Sequence, residues 1–121
     1  MACRAIRGAT TTPRNESAEI LLDTTQLLTQ MMERNGIKAE DIVSIFFSLT
    51  PDFDAVFPAV AARDMGLMDV PLLCLNEIPV PGALSQCIRI LIHTNSHLSN
   101  ADIEHVYLKE AVSLRPDHSR R

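Results

Sequence analysis

The run Cys87-Ile88-Arg89-Ile90-Leu91-Ile92 constrains this chain more than any other segment. Its alternation of isoleucine with other apolar residues reads as a strand buried on both faces, yet a guanidinium sits inside it. Arginine keeps its charge at any accessible pH, and burying it without an anionic partner is very costly. Arg89 must therefore meet something negative, either a carboxylate of the protein or a bound anion. The segment Arg4-Ala5-Ile6-Arg7-Gly8 repeats the theme, a short strand ending in arginine and glycine.

The basic residues are lopsided, because only Lys38 and Lys109 are lysine and the other nine are arginine. Arginine suits the fixed, bidentate holding of carboxylates or phosphates. Arg7, Arg63, Arg89 and Arg115 lie beside apolar residues rather than in charge runs, which points to a local cationic pocket. The whole chain carries a formal net charge of −4. That balance, with no basic stripe of interleaved aromatics, argues against a nucleic-acid partner. No window approaches the roughly 20 apolar residues that span a bilayer. Arg4 and Arg7 interrupt any signal peptide. Cys3, Cys74 and Cys87 are odd in number and lack metal-like spacing, which reads as reduced thiols in a cytoplasmic protein. The length of 121 residues fits one domain, 1–121, with a flexible polar tail at 116–121.

Five strands are expected. Cys3–Ala9 comes first, then a turn at Thr10-Thr11-Thr12-Pro13, with Asn15 as N-cap of a long helix. In that helix Ile20, Leu21, Thr24, Leu27, Leu28, Met31 and Met32 recur at helical spacing, while Glu16, Glu19, Asp23, Gln26, Gln30 and Glu33 fall mostly opposite. Asn35-Gly36 ends it. Ile42–Thr50 is a strand, Pro58–Met65 a short helix, Val70–Leu75 a strand and Asn76–Leu84 a shaped loop. Strands at Cys87–His93 and His105–Leu108 complete a mixed α+β sheet. Asp41-Ile42 and Asp102-Ile103 echo one another as helical turns feeding strands. One long helix covers only part of one face of such a sheet. The remaining apolar face must be buried against another copy, so an obligate homo-oligomer is expected.

Several residues invite chemistry. Cys74 and Glu77 stand three apart where strand becomes loop, a pattern that reads either as a carboxylate accepting a hydrogen bond from a substrate hydroxyl beside a weaker thiol contact, or as a small buried cysteine followed by a solvated loop glutamate. A nucleophilic Cys74 with His105 as base would need a spatial meeting that sequence does not supply. His93 and His97 have the four-residue spacing of helical metal ligands, but His93 ends a strand and the two should diverge, so no metal site is expected. There is no phosphate-binding or dinucleotide fingerprint. Phe57 precedes a helix start and Tyr107 lies in a strand, in a chain with few aromatics.

Taken together, the chain resembles the monofunctional, trimeric, barrel-like class of chorismate mutases. The resemblance rests on Arg4–Thr10, Thr50-Pro51-Asp52, Ala55–Ala59, Val70–Cys74, Glu77–Gly82, Cys87-Ile88-Arg89, His105–Leu108 and Leu114–Asp117, in the family's order and spacing. It implies a trimeric pseudo-α/β-barrel with mixed sheets at the core, helices outside and sites between subunits. It also implies the cofactor-free Claisen rearrangement of chorismate to prephenate, toward the aromatic amino acids. By that resemblance Arg89 would bond the ether oxygen, Arg7 with Tyr107 a carboxylate, and Glu77 with Cys74 the ring hydroxyl. Phe57 would pack on the ring, and Arg63, Leu114 and Arg115 would line the entrance. Val60 stands where the family carries a charged residue, so substrate capture would be affected more than chemistry. The competing expectation is a non-catalytic trimeric protein that binds or senses small anions.

Overall fold

In the computed structural model, which describes residues 1–114, one five-stranded mixed sheet has the order β3-β2-β4-β1-β5. The strands are β1 (Ala2–Thr11), β2 (Ile42–Leu49), β3 (Leu72–Asn76), β4 (Cys87–Ser96) and β5 (Val106–Tyr107). The helices are α1 (Ser17–Arg34) and α2 (Ala59–Asp64). β4 runs antiparallel to both β1 and β2, while β5 and β3 add in parallel at the two edges. Arg115 and the tail expected to be flexible lie outside the described residues.

α1 lays its apolar stripe on one face of the sheet. Leu27, Leu28 and Met31 pack with Ile6, Ile45, Phe47, Ile90, Ile92 and Val106 into one buried cluster. Gly8 makes this approach close: a Cβ there would lie 2.3 Å from Met31 Sδ and 3.1 Å from Leu27 Cδ1. Beyond α1, Gly36 takes a left-handed φ of 61°, which glycine adopts without steric cost.

β4 departs from the expectation of burial on both faces. Ile88, Ile90 and Ile92 lie under the helices, but Arg89, Leu91 and His93 alternate to the opposite face. Among the described residues, that face is covered only at one end, where Ala111, Leu114 and Leu84 pack on Ala9, Cys87 and Tyr107. Leu73 and Leu75 on the same face stay half exposed. The apolar character of both faces therefore reflects two different environments rather than one interior.

Other boundaries shift for identifiable reasons. Thr10 and Thr11 extend β1 because they pair with Ile88 and Cys87, and β4 runs past His93 because Ala2 pairs with Ser96. β5 is only two residues long. Asn15 does not cap α1, whose N-cap is Glu16 without a side-chain cap bond. Asn15 instead accepts hydrogen bonds from the backbone of Asp54 and Ala55, both at 3.1 Å, and holds the loop before α2. Asp23, expected on the polar face, is buried and paired with Lys109 Nζ at 2.6 Å. The echoing segments do both form 3-10 turns, Ala39–Asp41 and Asn100–Asp102.

Candidate active site

Strand register brings the site together. On the open face, Tyr107 pairs with Ala9, Ala9 with Arg89, Arg89 with Ser48, and Ser48 with Leu75. These five residues form a single row across all five strands. The adjacent row runs Arg7, Leu91, Phe46, Leu73. Alternation requires this, since residues two apart on a strand share a face. The rows line a cavity of about 400 Å³ whose wall includes Arg7, Arg89, Tyr107, Ser48, Leu75 and Leu114.

Glu77 completes the cation site. The loop after β3 is anchored by the Glu77 N–H donating to the Leu49 carbonyl at 2.9 Å. Its carboxylate Oε1 then lies 2.6 Å from Arg89 Nε and accepts the Ser48 hydroxyl at 2.9 Å. The Arg89 side chain is nevertheless 45% exposed while that of Glu77 is 16% exposed. Glu77 therefore grips the guanidinium from one edge and leaves the rest of the planar fork at the cavity. Arg7 forms no ion pair with any described residue.

The remaining candidates lie elsewhere. Phe47 pairs with Cys74 on the helix-covered face, so Cys74 is on the side of the sheet opposite Arg89. Cys74 and Phe57 line a second cavity, of about 530 Å³, with Phe53, Asp54, Val56 and Asn76. Burial raises the Cys74 thiol above its ordinary pKa, partly countered by a hydrogen bond from the Ala59 backbone and by the charge of Arg63. The thiol is thus protonated at neutral pH, able to donate a hydrogen bond and poorly nucleophilic. Phe57 is 69% exposed, an unusual position for a large aromatic. Arg63 closes the last turn of α2. Among the described residues, Leu75 alone borders both cavities.

The structure therefore brings Arg7, Arg89, Glu77, Tyr107 and Leu114 together, and groups Phe57, Cys74 and Arg63 separately. Within one chain it does not bring Cys74 to Glu77. Nor does it bring Cys74 to His105, which precedes β5 at the far edge of the sheet from β3. Among the described residues, no group of three His, Cys, Asp or Glu is placed to hold a metal ion. Ser48 was missed from sequence. The available signal was Ser44 and Ser48 recurring four apart in an otherwise apolar strand, which puts both on one face.

A mixed sheet carrying an anchored arginine, a second arginine and a tyrosine around an apolar-walled cavity defines a site for a small anionic molecule. Comparison with known proteins gives the family. A sequence model of the chorismate mutase type I family matches residues 3–118, and the chain belongs to that family. Chorismate mutase AroH of Bacillus subtilis is 46% identical over 120 residues, covering 98% of this chain and 94% of that protein. Chorismate mutase AroH of Thermus thermophilus is 44% identical over 115 residues, covering 94% of each. The solved chorismate mutase of Clostridium thermocellum superposes with a TM-score of 0.90 at 50% identity, over 91% of this chain and 98% of the other.

Proposed function

We propose that this chain catalyses the Claisen rearrangement of chorismate to prephenate as a homotrimer, with each site completed between neighbouring subunits. The observation that carries the reading is Arg89, gripped at Nε by Glu77 yet exposed along a cavity that also presents Arg7 and Tyr107. Chorismate is a dianion and its rearrangement is unimolecular. Catalysis then requires a held conformer and stabilisation of the charge that develops as the carbon–oxygen bond breaks.

Arg89 donates to the ether oxygen, where electron density grows in the transition state. A fixed donor of this kind is typically worth roughly 3–4 kcal/mol, or about 10²–10³ in rate. Its orientation is set in advance by Glu77, itself held by Ser48, so little reorganisation accompanies the reaction. Arg7 and Tyr107 hold a carboxylate. Glu77 also accepts from the ring hydroxyl and stands against positive character developing on the ring. Phe57, Cys74 and Arg63 act from the adjoining subunit, with Phe57 packing on the ring and the neutral Cys74 thiol supporting the hydroxyl. Arg63 and Leu114 line the entrance, and Val60 leaves Arg63 to supply more of the attraction there.

Two features support assembly. The open face exposes Leu73 and Leu75, with Ile78 and Val80 in the following loop, an apolar surface of the kind that subunit contact buries. The two half-sites also lie on opposite faces of the sheet, where one subunit cannot close them on one substrate. No helix among the described residues is long and apolar enough to cross a membrane. A cytoplasmic location fits the three free thiols, and one domain carries the whole activity.

The test is purified protein with chorismate and a chelator, and no added cofactor, followed by the loss of the substrate's ultraviolet absorbance alongside a solution mass. Turnover by a species of three chains is expected. Tight binding of chorismate without turnover would instead identify a non-catalytic anion-binding protein.

A further inference from the structure

We propose that His105 is a positioning residue for Arg7, its imidazole fixing the spacing between Arg7 and Tyr107; the inference rests on the chorismate reading of the site. The Arg7 backbone N–H donates to His105 Nδ1 at 2.9 Å. Nδ1 accepts only as a lone pair, so the bond requires the neutral ring with its proton on Nε2.

The location makes the bond consequential. β5 joins β1 through only two residue pairs, Gly8 with Val106 and Ala9 with Tyr107. At one end of this short ladder the Leu108 N–H donates to the Ala9 carbonyl at 2.9 Å. At the other end the next rung would need a backbone carbonyl opposite the Arg7 N–H, and the imidazole supplies the acceptor instead. Two-residue edge pairings fray readily, and this rung ties down an arginine that lines the cavity.

The chain reaches His105 from a fixed point. Asn35, at the C-terminal end of α1, donates through Nδ2 to the Glu104 carbonyl and accepts the Glu104 N–H through Oδ1, both at 2.8 Å. The same Nδ2 donates to the Met31 carbonyl at 2.8 Å. A continuous hydrogen-bonded path therefore runs from the end of α1 through Glu104 and His105 to the Arg7 backbone. Arg7 and Tyr107 both line the 400 Å³ cavity, so a slip at this rung changes the distance between two groups meant for one carboxylate.

A carboxylate is held equally in the ground state and the transition state, so loosening its clamp raises KM and leaves kcat alone. The experiment pairs His105→Phe, which keeps a ring without an acceptor, with His105→Asn, whose Oδ1 stands in for Nδ1. Each is assayed with chorismate, and the Arg7 amide is followed by hydrogen exchange. His105→Phe should speed exchange at Arg7 and raise KM by about fivefold, the size of one hydrogen bond, with kcat within about twofold. His105→Asn should restore KM and amide protection to within about twofold of the parent. Unchanged KM and exchange in His105→Phe would overturn the proposal, as would a kcat loss at constant KM or equal damage in both variants. His105→Ala carries the same expectation if the phenylalanine variant does not fold. Failure of the parent protein to turn over chorismate would remove the functional reading, while Arg7 exchange still decides the positioning role.

Discussion

Glu77 sets how Arg89 works. It fixes the guanidinium by holding Nε, and it leaves the nitrogens farther from the chain open along the cavity. Arg89→Ala should lower kcat by at least about 10² with circular dichroism and solution mass unchanged. Arg89→Lys should lose nearly as much, since an ammonium keeps charge but not the fork that Glu77 grips. A kcat for Arg89→Ala within threefold of the parent would sink the role. Arg89 was legible in the sequence because an arginine inside an isoleucine run demands an anion. Which anion was not legible, since Glu77 comes from a loop ten or more residues upstream and Ser48 from another strand. Cys87 offers a separate test. Burial pushes its thiol up to about 11 from 9.0, with Arg89 pulling it back, and its side chain is fully buried. Below pH 9 both the folded and unfolded chains hold the proton. Between about 9 and 11 only the folded chain does, so stability falls as pH rises through that window, by an order of 3 kcal/mol. Denaturant titrations at pH 8 and 10.5 should show this decline in the parent and not in Cys87→Ala.

At the scale of elements, the packing of α1 on β1 is set by what Gly8 lacks. Gly8→Ala would drive a methyl into Met31 Sδ and Leu27 Cδ1. Met31 yields part of the way, so the expected loss is about 1–3 kcal/mol in chemical denaturation. Adding Met31→Ala should recover part of that loss, and a double variant less stable than the sum of the two singles would contradict the steric account. The existence of α1 and its apolar stripe could be read from periodicity alone. Its partners could not. Asp23 read as a solvated carboxylate because Lys109 lies 86 residues away, and Asn15 read as a cap because its alternative partners, Asp54 and Ala55, belong to a loop folded back from beyond β2. Helical pattern reports which side of an element is apolar, and says nothing of which distant polar group meets its edge.

For the whole molecule, the division of the candidate residues between two cavities yields the strongest prediction. Arg89→Ala removes the donor of one half and Arg63→Glu repels the dianion at the other, so at chorismate concentrations well below the parent's KM each variant alone should be nearly inactive. Dissociated and reassembled together in equal amounts, they should regain about a quarter of the parent's sites, because a trimer then places some intact halves side by side. No recovery in mixed trimers verified by mass would mean that each chain holds its own complete site. An introduced charge on the open face, Leu73→Asp, should lower the solution mass and the activity together. The expectation of a second copy rests on an excess of apolar strand surface over helix to cover it, which the sequence carries. The split of the site was not, because strand alternation assigns Cys74 and Arg89 to opposite faces only once the register is known.

β1 has both of its sheet neighbours, β4 and β5, far along the chain from it. While translation proceeds, β1 emerges with two unpaired edges and waits for β4 and β5 before they are satisfied. Such edges recruit other chains readily. Closing the sheet around β1 therefore takes two long-range pairings, and Arg7 and Tyr107 come to share one cavity only when β5 lies alongside β1.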